Sequence, residues 1–167
     1  NTGSGFLLEA TGPNNKIVNS ISYNNGGIGF YLYSTNNNII DNSTTYSNSG
    51  RGFYMYSSAN NNTITNSISR TNTDSAVAVA GSINNRFINN IFNGTAISSS
   101  ATNLFNSTLT SGTNLVGGAN TGGNYWTNPA GNGYSDICVD ADANGICDSP
   151  YVDGNITDSL PLAKYVP

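Results

Sequence analysis

The sequence predicts an all-β fold: a right-handed parallel β-helix of about 4–6 coils closed by an irregular, disulfide-containing C-terminal cap. Three observations predict it. The chain repeats itself every 23 to 24 residues, each repeat alternates like a strand, and amides and hydroxyls replace charge in its composition.

The repeat has two halves. In the first, Asn14-Asn15-Lys16-Ile17-Val18-Asn19-Ser20-Ile21 matches segments around Ile40, Ile64 and Phe87, so the apolar anchors lie 23, 24 and 23 residues apart. In the second, Gly5-Phe6-Leu7-Leu8-Glu9 matches Gly29-Phe30-Tyr31-Leu32-Tyr33 and Gly52-Phe53-Tyr54-Met55-Tyr56, with Ala76-Val77-Ala78-Val79-Ala80 as a degenerate copy. An exact period of this size marks a solenoid.

Short apolar–polar alternation between turn residues is strand periodicity. It places Ile17, Asn19 and Ile21 on one face, and Phe30 and Leu32 on another. Strands this short cannot bury a face alone. Stacked coils do so, as parallel sheets rising about 4.8 Å per coil around a continuous core. Asn19, Asn42, Asn66 and Asn89 then share one column and read as a ladder of amides, each donating to one neighbour and accepting from the other. An antiparallel β-sandwich is the competing fold, but its strands would not keep this period over four copies.

Charged residues make up 8% of the chain against a usual share of about 25%. Disorder goes with high net charge and few aromatics; here the net charge is −4 and aromatics reach 10%. The five basic residues, Lys16, Arg51, Arg70, Arg86 and Lys164, are scattered, which argues against nucleic acid as a partner. No apolar run is long enough for a membrane-spanning helix. The first residue is Asn1 rather than Met, so the chain reads as a processed or excised product. Sequons at Asn42, Asn61, Asn93, Asn106 and Asn155 are compatible with export and surface glycosylation.

Near the C-terminus, Asp140, Asp142, Asn144, Gly145 and Asp148 form D-x-D-x-N-G-x-x-D. Oxygen side chains at alternate positions, a turn glycine and the Ile146 carbonyl imitate a Ca²⁺ loop. Tyr151 stands where the loop's bidentate Glu belongs, and Asp136 or Asp153 would have to substitute. The other reading is a solvated acidic turn. Cys138 and Cys147 bracket most of this loop and are expected to form a disulfide. That places the protein in an oxidising, extracellular or cell-surface setting.

With Phe30, Leu32, Phe53 and Met55 inward, period two turns Tyr31, Tyr33, Tyr54 and Tyr56 outward. Four phenols on one sheet make an exposed aromatic patch, bordered by Arg51, of the kind that marks an interface. A second copy, the C-terminal segment or sugar rings could cover it.

Enzymes that cleave polysaccharides with two carboxylates need them about 5–9 Å apart. In the repeat alignment Glu9 falls with Tyr33 and Tyr56, Asp41 with Val18 and Thr65, and Asp74 with Gly27 and Gly50. No two acids share a column, and a non-enzymatic role is expected.

On its N-N-x-I-x-N-N-x-I and G-[IF]-x-[LF] motifs, over about residues 1 to 95, the chain resembles the NosD-like β-helix repeat family. Gly122-Gly123-Asn124-Tyr125-Trp126, the Asp140–Tyr151 stretch and Leu160-Pro161-Leu162 resemble the tail of β-helix surface proteins from methanogenic archaea. The family name implies copper in a periplasmic maturation system. This chain has no His, Met55 is its only Met, and its two Cys are assigned to a disulfide, so soft and imidazole ligands are missing.

Residues 1–110 are read as the repeat domain and 111–167 as the cap. Gly5-Phe6-Leu7 begins mid-repeat, so either upstream coils once covered this end or another subunit pairs with it. The expected function is a structural, self-associating component of a cell surface. A carbohydrate-binding module or adhesin is the alternative, and a polysaccharide lyase or hydrolase comes third.

Overall fold

The computed structural model describes residues 1–10 and 12–165. The first coil contributes β1 (Phe6–Glu9), β2 (Lys16–Val18) and β3 (Ile21–Tyr23). The second adds β4 (Phe30–Tyr33), β5 (Ile39–Asp41) and β6 (Thr44–Tyr46). The third adds β7 (Phe53–Tyr56), β8 (Thr63–Thr65) and β9 (Ile68–Arg70), and the fourth β10 (Val77–Ala80), β11 (Arg86–Ile88) and β12 (Ile91–Asn93). Like strands of successive coils pair in parallel. The result is a β1-β4-β7-β10 row, a β2-β5-β8-β11 row and a β3-β6-β9-β12 row. The registers match the sequence repeat residue for residue: Phe6, Phe30, Phe53 and Val77 align, as do Ile17, Ile40, Ile64 and Phe87.

A fifth, uneven coil follows. β13 (Ala96–Ser98) extends the first row after a step of only 19 residues from Val77. The chain then detours through a small hairpin, β14 (Thr110–Ser111) and β15 (Asn120–Thr121). It returns as β16 (Tyr125–Thr127), which extends the third row beside β12. The short helix α1 (Tyr134–Ile137) and the hairpin β17 (Tyr151–Asp153) and β18 (Ile156–Asp158) close that end.

The doubled asparagine of each repeat has a division of labour. The first of each pair, Asn14, Asn37, Asn61 and Asn84, turns the corner at φ between 57° and 70°. Asn tolerates this left-handed region better than other L-residues with side chains. The second, Asn15, Asn38, Asn62 and Asn85, turns inward. From Asn15 to Asn103 each Nδ2 donates to the Oδ1 of the next coil's amide at 2.9 to 3.2 Å, and each backbone N–H donates to that same oxygen. A second inner ladder runs Asn1, Asn25, Asn48, Asn72.

The Asn19 column is stacked, but at a corner, with each residue at φ between 46° and 53°. Asn42 donates to Asn19 and Asn89 to Asn66, whereas Asn66 donates to Asp41. The left-handed residue also resets the alternation. Ile21 therefore points out, 60% exposed, and Ser22 points in, contrary to the expectation that Ile17 and Ile21 share a face. The inner column of the third row is thus Ser22, Thr45, Ser69, Phe92 and Trp126. Its small hydroxyls leave no room opposite: a methyl group at Gly29 or Gly52 would overlap Thr45 Oγ1 or Ser69 Oγ. That contact explains the glycine before each phenylalanine.

Candidate functional site

The outer face of the first row carries four tyrosines from two successive coils. Strand pairing sets Tyr31 beside Tyr54 and Tyr33 beside Tyr56. Tyr31 and Tyr54 stack at 5.3 Å between centroids and 11° between planes, and Tyr54 stacks on Tyr56 at 5.4 Å. Tyr33 tilts on Tyr31 at 5.9 Å and on Tyr56 at 5.8 Å. Offset aromatic pairs at these spacings are attractive beyond the area they bury. Tyr56 is exposed and the other three rings are half-buried. Burial, followed by the neighbouring phenols, raises the pKa of Tyr31; burial also raises that of Tyr54, against the pull of Arg51. The Tyr31 and Tyr54 phenols therefore stay uncharged at neutral pH.

Arg51 borders the patch. Its guanidinium lies 4.2 Å from the centre of the Tyr54 ring, within cation–π range, and its Nε is 3.0 Å from Asp74 Oδ2. The arginine charge is thus spent locally. Leu7 and Ile97, both about half exposed, extend the outer column at its two ends. The C-terminal segment packs elsewhere, on the end of the coil stack, and reaches the first row through Asn155 Nδ2 on the Ser98 carbonyl. A separate pair, Tyr23 and Tyr46, stacks at 5.1 Å on the third row.

In the cap, Cys138 and Cys147 are joined, with their Cα atoms 5.6 Å apart. Carboxylate oxygens of Asp140, Asp142 and Asp148 lie within 4.8 Å of one another. Both Asp140 oxygens accept backbone N–H groups, from Asn144 at 3.0 Å and Gly145 at 2.9 Å. Asn144 Oδ1 accepts from Ile146 N–H at 2.8 Å. The Ile146 side chain is buried with Tyr125 and Leu162, which anchors the loop. Neither proposed substitute for the missing Glu joins it. Asp136 is taken by Tyr125 Oη, Thr127 Oγ1 and Gly133 N–H, and Asp153 meets Tyr151 Oη.

Sequence reasoning gave no role to Asp158. It is fully buried and accepts from Asn124 N–H at 2.7 Å, Trp126 Nε1 at 2.8 Å and Leu160 N–H at 3.0 Å. It ends a third inner column, in which Asn90 donates to Asn124 and Asn124 to Asp158. In the sequence it is one more acid, two residues before Leu160-Pro161-Leu162. Of the sequons, Asn42, Asn61 and Asn155 are exposed, whereas Asn93 and Asn106 are half-buried.

A profile of the family described as periplasmic copper-binding protein (NosD) matches residues 1–131. No curated protein and no solved structure matches significantly. Copper does not fit the side chains present. Met55 is fully buried in the core, both Cys sulfurs are in the disulfide, and the chain has no His. The oxygen-rich loop is the wrong donor set for a soft metal.

Proposed function

Because this chain belongs to the NosD family of β-helix proteins, we propose that it is a structural, self-associating component of a cell surface, working outside the cytoplasm without catalysis. The single observation that supports this is the flat phenol face. It is built by the repeat itself, has its bordering arginine paired with Asp74, and is continuous across two coils. Faces of this kind are covered in working proteins. A second copy, presenting the same row of phenols, is the occupant that matches it, and the chain's low share of charged residues lessens the repulsion that keeps like molecules apart. The family's periplasmic description and the disulfide support a location beyond the cytoplasmic membrane.

Electron microscopy and light scattering of native material test this. Wild-type protein is expected to form large particles under gentle conditions. In the double variant Tyr31→Ala, Tyr54→Ala, loss of ring contacts between copies, each worth about 0.5–1.5 kcal/mol, raises the concentration needed for assembly by up to about tenfold per contact. A monodisperse wild-type monomer at high concentration refutes the reading. Glycan-array binding by that monomer, abolished by the same double variant, would transfer the face to the adhesin reading, since phenols also stack on sugar rings.

The acidic loop adds a structural Ca²⁺ to the proposal, held by Asp140, Asp142, Asn144, Asp148 and the Ile146 carbonyl. Hard oxygen donors suit this cation. At ten times its Kd, Ca²⁺ is expected to stabilise the protein by about 1.4 kcal/mol, raising Tm by a few degrees in calorimetry. The Asp142→Asn variant should show less than half that rise. An unchanged wild-type Tm in millimolar Ca²⁺ removes the ion from the account.

A further inference from the structure

A pocket of about 340 Å³ opens where the cap meets the last coils. Its walls include Trp126, Tyr134 and Tyr151, and its rim includes Thr95, Asn128 and Asp153. The aromatic residues of the wall pack on one another. Tyr151 stacks on Trp126 at 4.4 Å and 17°, and Tyr134 meets Tyr151 edge-on at 5.5 Å. Trp126 is held from behind by its Nε1 donating to buried Asp158, and Tyr134 Oη donates to the Ser149 carbonyl.

Two rim groups keep hydrogen-bonding capacity. Asn128 uses its Oδ1 to accept Ala130 and Asn132 N–H, which leaves its amide hydrogens for a ligand. Asp153 is exposed, and its one bond, from Tyr151 Oη at 3.4 Å, is long. An apolar ring wall flanked by one free donor and one free acceptor complements a molecule with an apolar face and hydroxyls at its edge. That is the chemistry of a pyranose. The volume lies within the range of small-ligand pockets, about 300–1,000 Å³.

We propose that this pocket is a binding subsite for a hexopyranose that bears no negative charge. The sign follows from its surroundings. Six of the chain's nine acidic residues, Asp136, Asp140, Asp142, Asp148, Asp153 and Asp158, lie in the cap, and among the described residues no Lys or Arg lines the pocket. A uronate would meet the Asp153 carboxylate with nothing to offset the repulsion. The inference does not depend on self-association, because it uses none of the residues of the tyrosine face.

The chain's single tryptophan lines this pocket, so its fluorescence reports occupancy directly. The full chain should be titrated with glucose, glucosamine and galacturonate. A saturable change in the millimolar range is expected with glucose and glucosamine, and none with galacturonate. Asp153→Ala removes a charge-assisted acceptor at an exposed position and should weaken glucosamine about tenfold, while the thermal transition stays in place. Tyr31→Ala with Tyr54→Ala should leave these titrations unchanged. The proposal is overturned if no sugar changes the fluorescence, if galacturonate binds as well as glucose, or if Asp153→Ala leaves glucosamine affinity untouched. Loss of the response in the Tyr31 and Tyr54 variant would likewise overturn it and move sugar binding to the other face.

Discussion

Replacing Asn62 by alanine is expected to cost about 3–5 kcal/mol of stability, a large share of what a domain of this size possesses. Asn62 is buried in the middle of the longest inner ladder. Its Oδ1 accepts both the backbone N–H and the Nδ2 of Asn38, and its own Nδ2 donates to Asn85 Oδ1 and to the Thr35 carbonyl. Truncation leaves at least two donors and one carbonyl without these bonds, where no water reaches. Each such loss costs about 1–3 kcal/mol, less than additively because the three are neighbours. Its exposed neighbour Asn61 provides the control. Asn61→Ala loses only the left-handed preference at φ 57°, worth about 1 kcal/mol. Urea denaturation of the two variants measures the contrast. If Asn62→Ala costs no more than Asn61→Ala, the buried amides are not what holds the coils in register.

The second large effect concerns Asp158 and has a pH signature. Burial pushes its carboxyl up to about 6, although N–H groups of Asn124, Trp126 and Leu160 pull the other way. A folded-state value above the ordinary 3.8 means that the folded chain binds the proton more tightly than the unfolded one. The associated stability is therefore fully present below about pH 4, and is lost as pH rises through about 6. A difference of two units corresponds to about 3 kcal/mol. Wild-type protein should accordingly lose stability between pH 4 and 7, while Asp158→Asn, which cannot ionise, should be nearly flat there. Asp158→Ala should be destabilised by about 3 kcal/mol or more at every pH, because it leaves three buried donors unpaired. Chemical denaturation at pH 4, 5.5 and 7 decides this. A wild-type profile parallel to that of Asp158→Asn would show that the buried carboxyl does not titrate in this range.

Both effects fall on residues whose roles were only partly legible in the chain. The period singled out the asparagine columns, and the parallel rows follow that alignment to the residue. It did not say which asparagine of each pair turns inward, because both belong to the same polar class and the corner residue's positive φ shifts the alternation by one. The same shift sent Ile21 outward and hid the inner hydroxyl column. The tyrosine face was readable, since Tyr31, Tyr33, Tyr54 and Tyr56 lie inside four-residue strands without such a corner. So was the disulfide, from two cysteines bracketing one loop.

The amino-acid sequence by itself determined the coil: its length, its build from several short strands, its parallel stacking and the residues on its aromatic outer row. These follow from local periodicity, and a repeat reproduces a local rule in every copy. Only the tertiary structure decided how the stack ends: the fifth coil with its detour, the buried Asp158, the acids left out of the Asp140–Asp148 loop, and the pocket beside Trp126. Those features join residues that share no period, and their geometry comes from how the last segments fill the space and satisfy the hydrogen bonds that the regular coils leave open.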